Sequence, residues 1–432
     1  MLLPILRLTL ILAIALLTTP LLAVDYEKPP INYSESLGNN IITRLQARLD
    51  AGEAKLEADG ASGYLRSLLR ELKIPVSSQM LAFAKHSQQR NIITPKNPRA
   101  MYFNDHAYVG WVPGGIIEIA VSDPQLGGMF YTLDPEVGSP PKFTREANRC
   151  MTCHGTNRTL HVPGFQVRSV FVDPNAQPII AAGSFRTNHT SPLAQRWGGW
   201  YVTGTHGEQK HLGNLILPDS KKPKSIDNAA GQNVTDLASR LDLAPYLAPS
   251  SDIVALMVFE HQADAHNLIT RLGMEIRLAE YAENQQPAAT DDERAKLRAE
   301  TDQRIATEGE ALVRYLLFSG ESKLTAPITG TSSFVKDFAA SGPRDSQGRS
   351  LRDFDLQTRL FKHPLSFTMY SESFTALPPR AKAVVFRRLR EILTRQDSTE
   401  PFTHLSADDR QAILKIVRAT MSEGLTTADS KE

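Results

Sequence analysis

The spacing of apolar residues changes character several times along the chain. Residues 8–17 form a nearly unbroken apolar run behind Arg7, and Thr18-Thr19-Pro20 interrupts it before Leu21-Leu22-Ala23. That pattern predicts a secretory signal over 1–23, with the mature chain starting near Val24; an uncleaved membrane anchor is the alternative. A polar stretch follows to about residue 60. Leu65, Leu68, Leu69 and Leu72 then recur at helical spacing and stop at Pro75. Residues 100–103, 108–111, 116–121 and 129–131 are short runs of β-type composition. Asn104-Asp105, Pro113-Gly114-Gly115, Asp123-Pro124 and Gly127-Gly128 separate them, so an antiparallel meander is expected. Two further strands are predicted over 167–172 and 178–182, around Asp173-Pro174-Asn175, and an aromatic strand over 197–203.

Beyond residue 250 the period becomes helical. Ile253, Met257, His261, Asp264, Leu268 and Leu272 fall on one stripe. The polar stretch 283–304 is expected to be a linker. Helices are predicted over 311–318, 381–393 and 408–420, with Ser406 and Asp409 as a capping box for the last. The resulting fold class is α+β. It comprises a first domain over 24–282 (a helical start, a β-rich centre and a helix near 251–280) and a predominantly helical C-terminal region over 305–432. No later run reaches about 18 consecutive apolar residues, so no stable membrane span is expected in the mature chain.

Composition narrows the function. The 432 residues are 41% hydrophobic and 22% charged, ordinary for a globular chain with more than one core. Forty-eight basic residues stand against 47 acidic ones. No net field draws the chain to nucleic acid, and a nucleic-acid partner is not expected.

Only two cysteines occur, and both belong to Cys150-Met151-Thr152-Cys153-His154. Two thiols three residues apart lie one helical turn from each other, and the following imidazole can turn beneath a metal. Those are the needs of one covalent haem c, with Cys150 and Cys153 as attachment points and His154 as proximal iron ligand. Three other uses compete: a strained disulfide, a thioredoxin-type redox pair, which prefers a helix start, and a zinc site, which needs further ligands.

The second iron ligand stays open at this level. No methionine lies between Met151 and Met257. His206, in a glycine-bearing segment that permits close backbone approach, is the first candidate distal ligand, and His261, on an apolar helix stripe, is the second. In an enzyme either would be the candidate catalytic acid–base group. His161, His189, His211, Met257, Met274 and Met369 remain, as does an open site. Arg186 and Arg196 are candidates for holding a propionate or an anionic substrate.

Several segments together carry a resemblance: Pro98 to Asp105, Tyr108-Val-Gly-Trp111, Arg149 to His154, Val162-Pro-Gly164, Val167-Arg-Ser-Val170, Arg196 to His206, Glu260-His-Gln262 and the stretch 365–378. Over most of the mature chain the sequence resembles a family of uncharacterised bacterial proteins described as cytochrome c domain-containing. The resemblance implies haem c at Cys150, Cys153 and His154, and no settled reaction. The expected function is therefore that of a periplasmic c-type cytochrome with one haem and a periplasmic redox partner, in electron transfer or haem-dependent oxidoreduction. A haem-based gas sensor without turnover is the alternative. Oligomeric state is not legible.

Overall fold

The structure is a computed structural model that describes residues 23–134, 141–218, 227–285 and 290–421. The expected signal segment lies outside the described residues, apart from Ala23.

Two short helices open the chain. In α1 (Ile41–Asp50) the Asn40 side chain caps the backbone N–H groups of Ile42 and Thr43. In α2 (Leu65–Glu71) the leucines selected by periodicity are buried. Six strands then form one antiparallel sheet in sequential order: β1 (Met80–Ala82), β2 (Arg99–Phe103), β3 (Ala107–Trp111), β4 (Ile117–Asp123), β5 (Gly127–Leu133) and β6 (Thr144–Arg145). The expected meander is thus present, widened by one strand at each edge.

Alternation divides the sheet between two cores. Leu81, Tyr102, Val109, Trp111, Ile119 and Tyr131 pack with α1 and α2 on one face. Met80, Phe103 and Tyr108 pack on the other face with the long helix described below.

The cysteine motif forms α3 (Ala147–His154), immediately after β6. Beyond it come two short pairs, β7 (Arg168–Val170) with β8 (Ser184–Arg186), and β9 (Gly204–Thr205) with a strand near residue 330. Two strand expectations need correction here. The segment expected as 178–182 pairs only at its start, Pro178 opposite Val172 and the Ile179 N–H on the Phe171 carbonyl, then takes a 3-10 turn over Ile180–Ala182 before β8 begins at Ser184. The aromatic segment 197–203 is irregular because Trp197 and Gly199 have φ of 66° and 82°, which breaks an extended run.

The helix expected near 251–280 is α4 (Ile253–Asn284), 32 residues, capped by the Asp252 carboxylate on Val254 and Ala255 N–H. It is not a surface helix with one apolar stripe. Sheet, loops and C-terminal helices cover it on nearly all sides, and polar residues such as Glu260, His261 and Asn267 are buried along it. The expected linker 283–304 is corrected as well, because α5 (Asp291–Leu316) begins inside it. A Thr290–Glu293 capping box starts this helix, and its outer half is polar because it faces solvent.

The remaining elements are β10 (Thr329–Gly330), α6 (Phe334–Ala340), α7 (Glu372–Thr375), α8 (Pro379–Leu393) and α9 (Ala407–Thr420). The Ser406–Asp409 capping box is formed as expected. The fold is α+β, and the C-terminal helices share one core with α4 and a face of the sheet. No helix among the described residues is long and apolar enough to cross a membrane.

Candidate functional site

The cysteine motif occupies the C-terminal end of α3, and Gly155 ends the helix. Both thiols are free; Cys150 is half-buried and Cys153 exposed. Gln88 Nε2 lies 3.5 Å from Cys150 Sγ. Burial pushes the Cys150 thiol up to about 11, so it is protonated at neutral pH. A thioredoxin-type pair needs the opposite, a depressed thiol at a helix N-terminus. The redox-pair and disulfide alternatives find no support in this geometry. Among the described residues no group of three or more His, Cys, Asp or Glu side chains forms a cation cage of the kind structural zinc uses.

The His154 imidazole is fixed by one bond, from Nδ1 to the Gly164 carbonyl at 2.8 Å. Because a carbonyl only accepts, Nδ1 carries the proton and Nε2 keeps its lone pair. Nε2 has no partner among the described residues. Burial lowers the basicity of the ring and keeps it neutral. This is how proteins set the tautomer and direction of a metal-binding histidine. The ring leans on Phe130, with centroids 4.5 Å apart.

The Gly164 carbonyl is held from α4. Asn267 donates from Nδ2 to the Phe165 carbonyl and accepts at Oδ1 from the Phe165 N–H, both at 2.7 Å. One turn on, Arg271 Nη1 donates to the Leu160 carbonyl at 2.9 Å. The Gly164 N–H returns to the His154 carbonyl at 2.9 Å, closing the loop on the motif. Gly164 must be glycine here, since a Cβ would stand 2.3 Å from Asn267 Oδ1. Replacing Asn267 by alanine strands two buried backbone groups. Chemical denaturation should show a loss of about 2–4 kcal/mol; a change below about 0.5 kcal/mol would mean that the loop holds itself.

Around the motif lies more positive charge than the local carboxylates neutralise. Arg99 pairs with Glu118 at 3.0 Å. Arg149 Nη1 donates to Gln88 Oε1 at 2.7 Å, and Arg168 Nε donates to Ser184 Oγ at 2.9 Å. Arg149, Arg158 and Arg168 make no ion pair among the described residues. Arg158 is near enough to act, with Arg168, on His86, where burial and these cations hold the imidazole down at about 4. Arg168 Nη1 is 3.5 Å from His86 Nε2. Unpaired guanidinium groups beside two thiols and a free imidazole nitrogen could receive carboxylates such as haem propionates.

The arginines singled out from the sequence are committed elsewhere. Arg186 pairs with Asp264, and Arg196 pairs with the buried Glu260 at 2.5 Å.

Neither distal candidate is brought to His154. His206 Nε2 accepts from the Asn233 N–H at 3.1 Å, and its ring packs on His211 at 4.6 Å. His261 uses both nitrogens, with Nδ1 at 2.8 Å from His189 Nδ1 and Nε2 at 2.8 Å from Ser366 Oγ. It also stacks on Phe318 at 4.4 Å, inside the helical core. His211 Nδ1 accepts from the Gly213 N–H, and burial pushes the ring down to about 3. Met257, Met274 and Met369 are core residues. His161 lies on the proximal loop, its N–H bonded to the Thr156 carbonyl.

Sequence reasoning passed over the residues that do stand near the motif: His86, Gln88, Phe130, Arg168 and Asn267. All but Arg168 and Asn267 precede the cysteines, whereas a methionine or histidine ligand is expected downstream of the motif. No family model, no curated protein and no solved structure matches the chain.

Proposed function

We propose that this protein is a c-type cytochrome carrying one haem, attached through Cys150 and Cys153 with His154 as proximal ligand. It acts in electron transfer or haem-dependent oxidoreduction. The observation that carries the reading is the fixed tautomer of His154: Nδ1–H is bound to the Gly164 carbonyl, and Nε2 is free beside two unpaired thiols of the same short helix. The unpaired arginines supply the counter-charge that two propionates need. A bound haem would supply the redox-active iron; Cys150, Cys153 and His154 would hold it, with the imidazole oriented by the Gly164 loop that α4 anchors and packed against Phe130. The resemblance to cytochrome c domain-containing proteins points the same way. Haem c is attached outside the bacterial cytoplasm, so the reading includes export to the periplasm by the segment 1–23 and a periplasmic redox partner.

The test is to mature the full chain in cells equipped for haem c attachment. A Soret band that shifts on reduction, and haem that survives acid–acetone extraction, are expected. A colourless product, or haem released by the extraction, would overturn the proposal.

A further inference from the structure

The hydrogen bond that orients His154 does not end at the Gly164 carbonyl. That carbonyl and the Phe165 N–H belong to one conjugated peptide group, so whatever binds the N–H acts on the oxygen that His154 uses. The Phe165 N–H donates to Asn267 Oδ1 at 2.7 Å. Asn267 Nδ2 donates in turn to the Asp264 carboxylate, one turn back on α4, at 3.2 Å. Four groups therefore stand in series: the imidazole N–H, the Gly164–Phe165 peptide, the Asn267 amide and the Asp264 carboxylate.

Every link points the same way. The imidazole donates to the peptide, the peptide to the amide and the amide to the carboxylate, so each bond polarises the next toward the charge at the end. The partners of Asn267 fix that direction. Its Nδ2 faces the Phe165 carbonyl at 2.7 Å as well as Asp264, and a flipped amide would set its oxygen against two acceptors. Asn267 is fully buried and Asp264 nearly so, which keeps the series out of bulk water, where it would be weakened.

The far end is set by an ion pair. Arg186, on β8, pairs with Asp264, and Asn188 Nδ2 donates to the second carboxylate oxygen at 2.6 Å. The Arg186 side chain is 28% exposed against 7% for Asp264, so the cation forms the surface end of the series. Arg186 and Asn267 share one oxygen, Oδ1, and the guanidinium draws charge from the atom that the amide uses.

We infer that Asp264 is a positioning residue for the axial imidazole, a role that rests on the haem reading above. Through Asn267 and the Gly164–Phe165 peptide its carboxylate strengthens the His154 Nδ1–H bond and makes Nε2 a stronger donor to iron. Arg186 moderates the effect. A carboxylate bound directly to a metal-ligating histidine raises the basicity of the ring, and here the same influence arrives through two amides. A more strongly donating imidazole favours ferric over ferrous iron and lowers the reduction potential.

Two variants break the same ion pair from opposite sides. Asp264→Asn keeps an acceptor for Asn267 and removes the charge, whereas Arg186→Gln keeps the charge and removes its counter-ion. The first readout is the His154 Nδ1 proton in the haem-free full-length chain, observed by NMR with isotope-labelled histidine and assigned by its loss in His154→Gln. The second is the reduction potential of the haem-bearing chain. Asp264→Asn should move the proton upfield and shift the ferric–ferrous equilibrium toward ferrous about tenfold, which is about 59 mV for one electron. Arg186→Gln should move both readouts the opposite way. In an Asn267→Leu background, Asp264→Asn should move neither. Simple loosening of the structure would shift the two ion-pair variants in one direction, and that result overturns the assignment. Equal shifts with and without Asn267 overturn it too, since a charge acting through space needs no series of bonds, and so does an unchanged proton in Asp264→Asn. Absence of covalent haem from wild type on a denaturing gel defeats the haem reading instead, and leaves the proton measurement to decide whether Asp264 reaches His154.

Discussion

Replacing Cys150 and Cys153 together by alanine should remove covalent haem completely while leaving the fold in place. Each thioether is one covalent link, so either single variant should retain haem through the other link, at reduced yield. The double variant should retain none on a denaturing gel, and its intact mass should equal that of the bare polypeptide. The contrast is interpretable because the two side chains contribute little packing. Cys153 is exposed, and Cys150 is half-buried with one weak contact from Gln88. Stability of the haem-free double variant should stay within about 1 kcal/mol of haem-free wild type. His154→Ala gives a different pattern: thiols present and attachment impaired, with whatever haem is attached lacking its strong axial field. Haem retained by the double variant on the gel would show that the motif is not the attachment site.

How far such a site is legible in sequence depends on whether its parts are local. The motif itself is local, and so are the capping residues. The Ser406–Asp409 box and the leucine pattern of α2 needed nothing beyond neighbours in the chain. The meander followed from turn residues and alternation for the same reason. The strand expected over 197–203 failed at the left-handed backbone of Trp197, which composition does not announce for a bulky residue. The linker expected over 283–304 failed because an exposed helix can be polar on most of its surface, although the Thr290–Glu293 box was there to be read.

The two candidate distal histidines depend on contacts that are not local. His206 stood out for the glycines around it and His261 for its place on an apolar stripe, where a polar group must be paired or in use; His261 proves to be paired at both nitrogens, with His189 and Ser366, and His206 at Nε2, with Asn233. Those partners are distant in sequence, so local pattern could not separate the two outcomes.

Removing Arg196 should be the most destabilising single change away from the motif, by about 3–5 kcal/mol for Arg196→Met. Arg196 Nη1 donates to Glu260, and its Nη2 donates to the His189 and Ser191 carbonyls at 2.9 and 2.7 Å. Both members of the pair are buried, so the substitution leaves a carboxylate in the core without its counter-ion and the Ser191 carbonyl without its donors, while the His189 carbonyl keeps only the Ser322 N–H. Burial pushes the Glu260 carboxyl up to about 7, against the pull of Arg196, from the ordinary 4.5. A carboxyl whose folded value lies above its unfolded value binds its proton more tightly when folded. It therefore adds stability below the unfolded value, and that contribution is lost as pH rises from about 4.5 through about 7. Glu260→Gln keeps a hydrogen bond to Arg196 and removes the titration. The stability of wild type relative to Glu260→Gln should thus fall across that window and level off above it. In Arg196→Met the guanidinium pull is gone, so the window should extend to higher pH. Urea unfolding of the three proteins at stepped pH measures both. A wild-type advantage over Glu260→Gln that grows with pH would show instead that the charged pair outweighs its burial, and that Glu260 is ionised throughout.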